Sequence, residues 1–135
     1  MKLFALFASL ICAIQSFGAD SKPGAAAEKK AGVKNVNVEE FDRLRQQKDT
    51  VVLDVRTADE YADGHLKDSV LIDLRSADFA ERIGKLDKSK TYLVHCAAGG
   101  RSARACSKMD ALGFKTVNLE GGLGAWKDAG KPVEK

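Results

Sequence analysis

The chain is poor in most of the residue types that build specialised sites. Its 135 residues include two histidines, three cysteines, two prolines and one tryptophan. No pair of Cys-x-x-Cys motifs occurs, and His65 and His95 stand far apart in sequence, which argues against a zinc site. Neither sign of charge dominates. The formal net charge is +3 and is spread along the chain. That offers no basic stripe for nucleic acid and no polybasic membrane anchor. Long hydrophobic runs are missing too: the stretch from Leu3 to Ile14 is too short to span a bilayer comfortably. What remains is the composition of an ordinary globular chain, long enough for one hydrophobic core and hardly for two. The sequence calls for no metal and no cofactor.

The N-terminus reads as a leader rather than as part of the fold. Lys2 supplies a positive charge, Leu3 to Ile14 an apolar centre, and Ser16-Phe17-Gly18-Ala19 a small-residue cleavage region. This is the layout of a secretory signal peptide over residues 1–19, with cleavage near Gly18 or Ala19. Cys12 lacks the context of a lipid attachment site. Residues 20–32 are rich in Ala, Lys, Gly and Ser without apolar rhythm, and read as a flexible spacer. The domain is expected over residues 33–135 of an exported protein, periplasmic or secreted, whose mature form keeps only Cys96 and Cys106.

From Val33 onward, short apolar runs alternate with helical patterns. Val36 and Val38 read as a brief extended segment, and Glu39 to Gln47 as a helix presenting Phe41 and Leu44 on one face. The β-branched run Val51 to Val55 reads as a strand buried on both faces. Thr57 and Glu60 form a capping box for a helix that stops at Asp63-Gly64. Further strands are expected at Val70 to Ile72, Tyr92 to Val94 and Val117 to Leu119. Further helices are expected at Ala77 to Ile83, at Ser102 to Leu112, and around Ala125 and Trp126. In the longest helix Ala105, Met109 and Leu112 share a face, and Gly113 ends it. Alternating strands and helices imply a parallel sheet covered on both sides, with reactive groups beyond the carboxyl ends of its strands. Asp54-Val55-Arg56, His95-Cys96 and Leu119-Glu120-Gly121 occupy such places.

One of these ends carries the chemistry. In Tyr92-Leu93-Val94-His95-Cys96-Ala97-Ala98-Gly99-Gly100-Arg101-Ser102-Ala103-Arg104, a cysteine ends a buried strand, a small-residue loop follows, and a helix begins. Small residues let the backbone curl its N–H groups toward the sulfur. The helix adds the positive end of its dipole, and Arg101 and Arg104 add full charge. All three features favour the thiolate, which marks Cys96 as a reactive nucleophile. Neighbours along a strand point to opposite faces, so His95 is expected to face away from Cys96 and to pack. His65 is expected to fix a turn.

The pattern Cys96-x-x-Gly99-x-Arg101-Ser102 resembles the active loop of single-domain rhodanese-like proteins, the thiosulfate sulfurtransferase-like family. Leu53-Asp54-Val55-Arg56, Glu60-Tyr61 and Gly64-His65-Leu66 are similar to that family's first signature. Gly121-Gly122-x-x-Ala125-Trp126 and Ala129-Gly130-x-Pro132 are similar to its C-terminal signature. Together the motifs span Val36 to Pro132. The resemblance implies an α/β, three-layer domain with a mostly parallel sheet and helices on both faces. It also implies a sulfurtransferase in which Cys96 takes sulfur from a donor such as thiosulfate or a persulfide and passes it to a thiol or cyanide through a Cys96 persulfide. The backbone N–H groups of Ala97, Ala98, Gly99, Gly100, Arg101 and Ser102 would then cradle the persulfide, and Arg101 would attract the donor. Asp54, Arg56 and Arg104 are supporting residues: Asp54 orders its strand end and its arginine, and Arg56 packs near the loop.

Two stretches depart from the family pattern. Leu66-Lys67-Asp68-Ser69-Val70-Leu71-Ile72-Asp73 lacks the family's Gly-Ala and Asn-Ile-Pro elements. Ala97, Ala98 and Gly100 replace larger or charged loop residues, which leaves Arg101 as the expected main charge. Lys108 replaces an apolar helix residue and is expected at the solvent edge with its stem packed down. Two other functions compete. One is a redox-sensing or protein-binding module using Cys96, with Cys106 either a core residue or a resolving thiol. The other is a phosphatase or arsenate reductase, disfavoured because four residues separate Cys96 from Arg101 where rhodanese-related phosphatases place five.

The leader reading has a direct check. Full-length chain expressed in a cell with a secretory pathway should yield an exported form beginning near Asp20, read by N-terminal sequencing. A product that retains residues 1–19 would overturn it.

Overall fold

The protein's structure, a computed structural model, describes residues 33–135. The expected leader and spacer, with Lys2 and Cys12, lie outside the described residues. Five strands are present: β1 (Asn35–Val36), β2 (Thr50–Asp54), β3 (Val70–Leu71), β4 (Thr91–His95) and β5 (Lys115–Leu119). They form one sheet in the order β1-β5-β4-β2-β3, and every pairing is parallel. The helices are α1 (Val38–Leu44), α2 (Ala58–Asp63), α3 (Phe79–Gly84), α4 (Gly100–Ala111) and α5 (Gly122–Asp128). β4 sits at the centre, in register with β2 from Thr50↔Thr91 to Asp54↔His95 and with β5 from Thr91↔Lys115 to Val94↔Asn118. The carboxyl ends of β2, β4 and β5 therefore share one edge, where Cys96 follows.

Alternation along the strands divides the core into two layers. Leu53, Val55, Tyr92, Val94 and Cys96 pack with Phe79 and Ile83 of α3 and with Ala105, Cys106 and Met109 of α4. Val52, Leu93, Val117 and Leu119 pack on the other face with Phe41 of α1 and with Leu123 and Trp126 of α5. His95 lies in this second layer, its ring 6.3 Å from Phe41 and edge-on to it, so it faces away from Cys96 as strand alternation requires. It is fully buried, and burial pulls its pKa down, against the nearby charge of Asp54, which favours the neutral imidazole.

Local signals place most boundaries, and the exceptions have identifiable causes. Val38 is helical, not extended. The Asn37 side chain accepts a hydrogen bond from the Glu40 N–H at 2.9 Å and ends the extended segment one residue earlier. The same helix stops at Leu44 rather than Gln47, because its end tightens to bonds from Gln46 to Arg43 and from Gln47 to Leu44. α3 begins at Phe79 rather than Ala77. The capping box at Thr57 and Glu60 is formed with both of its bonds.

Leu112 is the clearest reversal. It was expected on the inner face of α4, yet it caps the helix and is 49% exposed. Gly113, at φ +93, turns the chain, and its N–H bonds to the Asp110 carbonyl. The Phe114 N–H then reaches the Met109 carbonyl at 3.1 Å, completing a Schellman closure. Phe114 thereby enters the core beside Met109 and takes the place that helical periodicity had assigned to Leu112. Lys108 is solvent-exposed, lining a shallow groove with Leu112, Phe79 and Ile83.

A buried ion pair holds the end of β2. The Asp54 carboxylate accepts from the Arg56 side chain at 2.9 and 2.7 Å and from the Arg56 backbone N–H at 3.0 Å. Arg56 also donates to the Gly64 carbonyl at 2.7 Å, tying the end of α2 to the sheet. Asp54 thus orders its strand end and its arginine. Asp54→Ala leaves a buried guanidinium without its counter-charge and should cost about 3–5 kcal/mol. Urea unfolding of the two proteins measures this; a midpoint unchanged by the substitution would refute the role.

Candidate functional site

The strand β4 delivers Cys96 to the sheet edge, and the next residues must turn sharply into α4. Gly99 makes that turn at φ +109, a backbone conformation that side-chain-bearing residues rarely adopt, and stands as the residue before the helix. The turn aims its own N–H at the Cys96 Sγ at 3.0 Å. The Ser102 hydroxyl, also buried, lies 3.4 Å from the same sulfur and 3.2 Å from the Gly99 carbonyl. One hydroxyl proton serves one acceptor at a time, and an anionic sulfur is the stronger.

The first two peptide groups of the loop are held from outside it by their carbonyls. The Cys96 carbonyl accepts from the Leu123 N–H at 2.8 Å, and the Ala97 carbonyl from the Gly124 N–H at 3.1 Å. Both donors belong to the first turn of α5, where helical N–H groups have no partner within their own helix. This clasp requires close approach. A Cβ on Gly122, whose φ is +60, would lie 2.6 Å from the backbone of Cys96 and Ala97.

These contacts set the state of the thiol. Burial alone would push the Cys96 pKa up. It is outweighed by hydrogen bonds from the Ser102 side chain and from the backbone N–H groups of Ser102, Gly99 and Ala98, and the net shift is downward. The dipoles around the sulfur therefore favour its anionic form. Cys96 is 1% exposed and closes one side of a cavity of about 450 Å³, lined also by Ala97, Ala98, Gly100, Arg101 and Arg104.

Arg101 behaves differently from the sequence expectation of a free charge beside the sulfur. Its guanidinium is clamped by both oxygens of Glu60, at 2.8 and 2.9 Å. The Arg101 bond holds the Glu60 carboxyl down at about 2, against some burial and with help from Thr57, so it stays ionised near neutrality. Glu60 is the site residue that sequence reasoning missed. Its capping-box signal was visible, and its Oε1 does accept from the Thr57 N–H at 3.1 Å. Its second task joins residues 41 apart, which no local pattern announces. The α5 clasp was missed in the same way, although Gly121-Gly122 had been noticed.

Of the supporting residues, Arg104 is exposed at the cavity wall, whereas Asp54 and Arg56 are buried in the ion pair described above. His65 stacks on Tyr61 with ring centroids 3.9 Å apart, and its backbone pairs with Glu134, so it holds the turn after α2 to the C-terminus. Cys106 is fully buried, and that burial pushes its thiol up to about 12 in spite of a hydrogen bond from Thr116. It is a core residue with little thiolate character.

The Rhodanese-like domain family model matches residues 37–129. The chain is 38% identical over 91 residues to YtwF of Bacillus subtilis (strain 168), which carries the name of a proposed sulfurtransferase; the match covers 67% of this chain and 86% of that one. It is 29% identical over 92 residues to a protein of Allochromatium vinosum named a sulfurtransferase, covering 67% and 84%. Among solved structures, a rhodanese-related protein from Thermoplasma volcanium superposes with a TM-score of 0.68 at 33% identity, over 75% of this chain and 97% of that one.

The geometry around the sulfur predicts the effect of removing one donor. Ser102→Ala should raise the Cys96 pKa by about one unit, the equivalent of one hydrogen bond to a charged group. The pH dependence of iodoacetamide alkylation reads this directly. A profile that does not move in a folded variant would remove Ser102 from the account.

Proposed function

Because the chain belongs to the rhodanese-like domain family, we propose that it is a sulfurtransferase in which Cys96 carries a sulfane sulfur as a persulfide. The observation that carries this reading is the Gly99 N–H aimed at the Cys96 Sγ at 3.0 Å, beside a cavity open to small anions. The sulfurtransferase names of the two relatives support it.

In the first half-reaction the Cys96 thiolate attacks the outer sulfur of a donor such as thiosulfate. The donor S–S bond breaks, sulfite leaves with its electron pair, and Cys96 holds the transferred atom as an anionic persulfide. In the second, a thiolate or cyanide attacks that outer sulfur, and the bond to Cys96 breaks to return the thiolate. Negative charge thus stays at the loop throughout the cycle. Preorganised N–H dipoles and the Ser102 hydroxyl suit that demand, because they stabilise charge without reorganising. The neutral, buried His95 on the opposite face has no part in it. The partners are a small anionic sulfur donor and a thiol acceptor, with no nucleic acid, no membrane after leader removal and no cofactor. An exported location belongs to the same proposal and rests on the leader pattern at residues 1–19.

The redox alternative is disfavoured by Cys106, whose burial keeps it a thiol, and the phosphatase alternative by the four-residue spacing from Cys96 to Arg101. Mass measurement decides the proposal. Protein incubated with thiosulfate, freed of donor and measured intact without reductant should gain one sulfur atom and lose it to cyanide, whereas Cys96→Ser should gain none. Absence of sulfur uptake from both thiosulfate and an organic persulfide would refute sulfur transfer.

A further inference from the structure

Two arginines line the cavity, and they are not equivalent. Arg101 is held by a two-point bond to Glu60, and its side chain is only 15% exposed. Asp73 adds further negative charge in its surroundings. A guanidinium with its planar fork already filled has little left to offer an incoming anion. The pair instead ties the first turn of α4 to α2 and so braces the loop. Arg104 stands three residues further along α4 and lines the same cavity. It is exposed, and among the described residues no carboxylate lies within ion-pairing distance of it. At about 1.5 Å of rise per residue, its Cα is roughly 4.5 Å further from the loop than that of Arg101. That offset favours contact with the outer part of a bound donor over contact with the sulfur being transferred.

Resting on the sulfurtransferase reading, we propose that Arg104 is the specificity-determining residue of the cavity, binding the anionic group of the sulfur donor while Arg101 and Glu60 act as a brace for the loop. Donors recognised in this way carry a sulfonate or carboxylate beyond the sulfur they surrender. The charge on Arg104 is solvated, so recognition weakens as salt screens it.

Two measurements on the full domain test this. In steady-state transfer from thiosulfate to cyanide, Arg104→Ala should raise KM about tenfold, the worth of one charge-assisted contact, with a much smaller change in kcat. Arg104→Lys, which keeps the charge without the fork, should recover part of the loss. The second measurement needs no sulfur transfer: methanesulfonate, an unreactive anion, should slow alkylation of Cys96 by neutral iodoacetamide in the wild type, and this protection should vanish in Arg104→Ala and at high salt. An unchanged KM together with unchanged protection in Arg104→Ala would overturn the proposal, as would an absence of protection in the wild type. If neither thiosulfate nor an organic persulfide transfers sulfur, the sulfurtransferase reading fails on its own, and the protection assay still reports whether Arg104 binds anions.

Discussion

A peptide group cannot turn its N–H toward a sulfur without turning its carbonyl away, and a buried carbonyl needs a donor. The loop after Cys96 meets that constraint by handing the Cys96 and Ala97 carbonyls to the first turn of α5, whose N–H groups lack partners of their own. Two sets of unsatisfied backbone groups, far apart in sequence, satisfy each other. The absence of a side chain on Gly122 lets the two backbones meet. The clasp fixes the Cys96–Ala97 and Ala97–Ala98 peptides, and the second of these turns the Ala98 N–H toward the sulfur.

The resulting electrostatics are mainly dipolar. Hydrogen bonds to Cys96 outweigh its burial and favour the thiolate. The full charges nearby are arranged otherwise. Asp54 and Arg56 neutralise each other inside the sheet edge, and Glu60 and Arg101 do so at the mouth of the loop. Fixed dipoles cost little to reorganise when charge stays on the sulfur through a reaction cycle, whereas exposed ion pairs are screened. With Arg101 paired to Glu60, Arg104 is the cavity arginine without an ion-pair partner among the described residues.

Much of the fold was legible because local rules and tertiary packing agree. Strand alternation put His95 and Cys96 on opposite faces of the sheet, and the β-branched run Val51 to Val55 is a strand packed on both. Thr57 and Glu60 announced their helix. Disagreements arose at element ends, where short-range hydrogen bonds compete with periodicity. Asn37 captured Val38 for the helix, and the glycine closure at Gly113 sent Phe114 inward and Leu112 outward.

The sequence by itself determined the parallel α/β architecture, the position of Cys96 at a strand end and the small-residue loop that frees its backbone, because each follows from neighbours a few residues apart. Only the tertiary structure decided which charges near that loop remain available and what holds the loop in shape. Glu60 meets Arg101 across 41 residues, and Leu123 meets Cys96 across the gap between β4 and α5. Such pairings depend on how the sheet brings distant strand ends to one edge, and a side chain already satisfied in its own helix gives no local sign of a second partner.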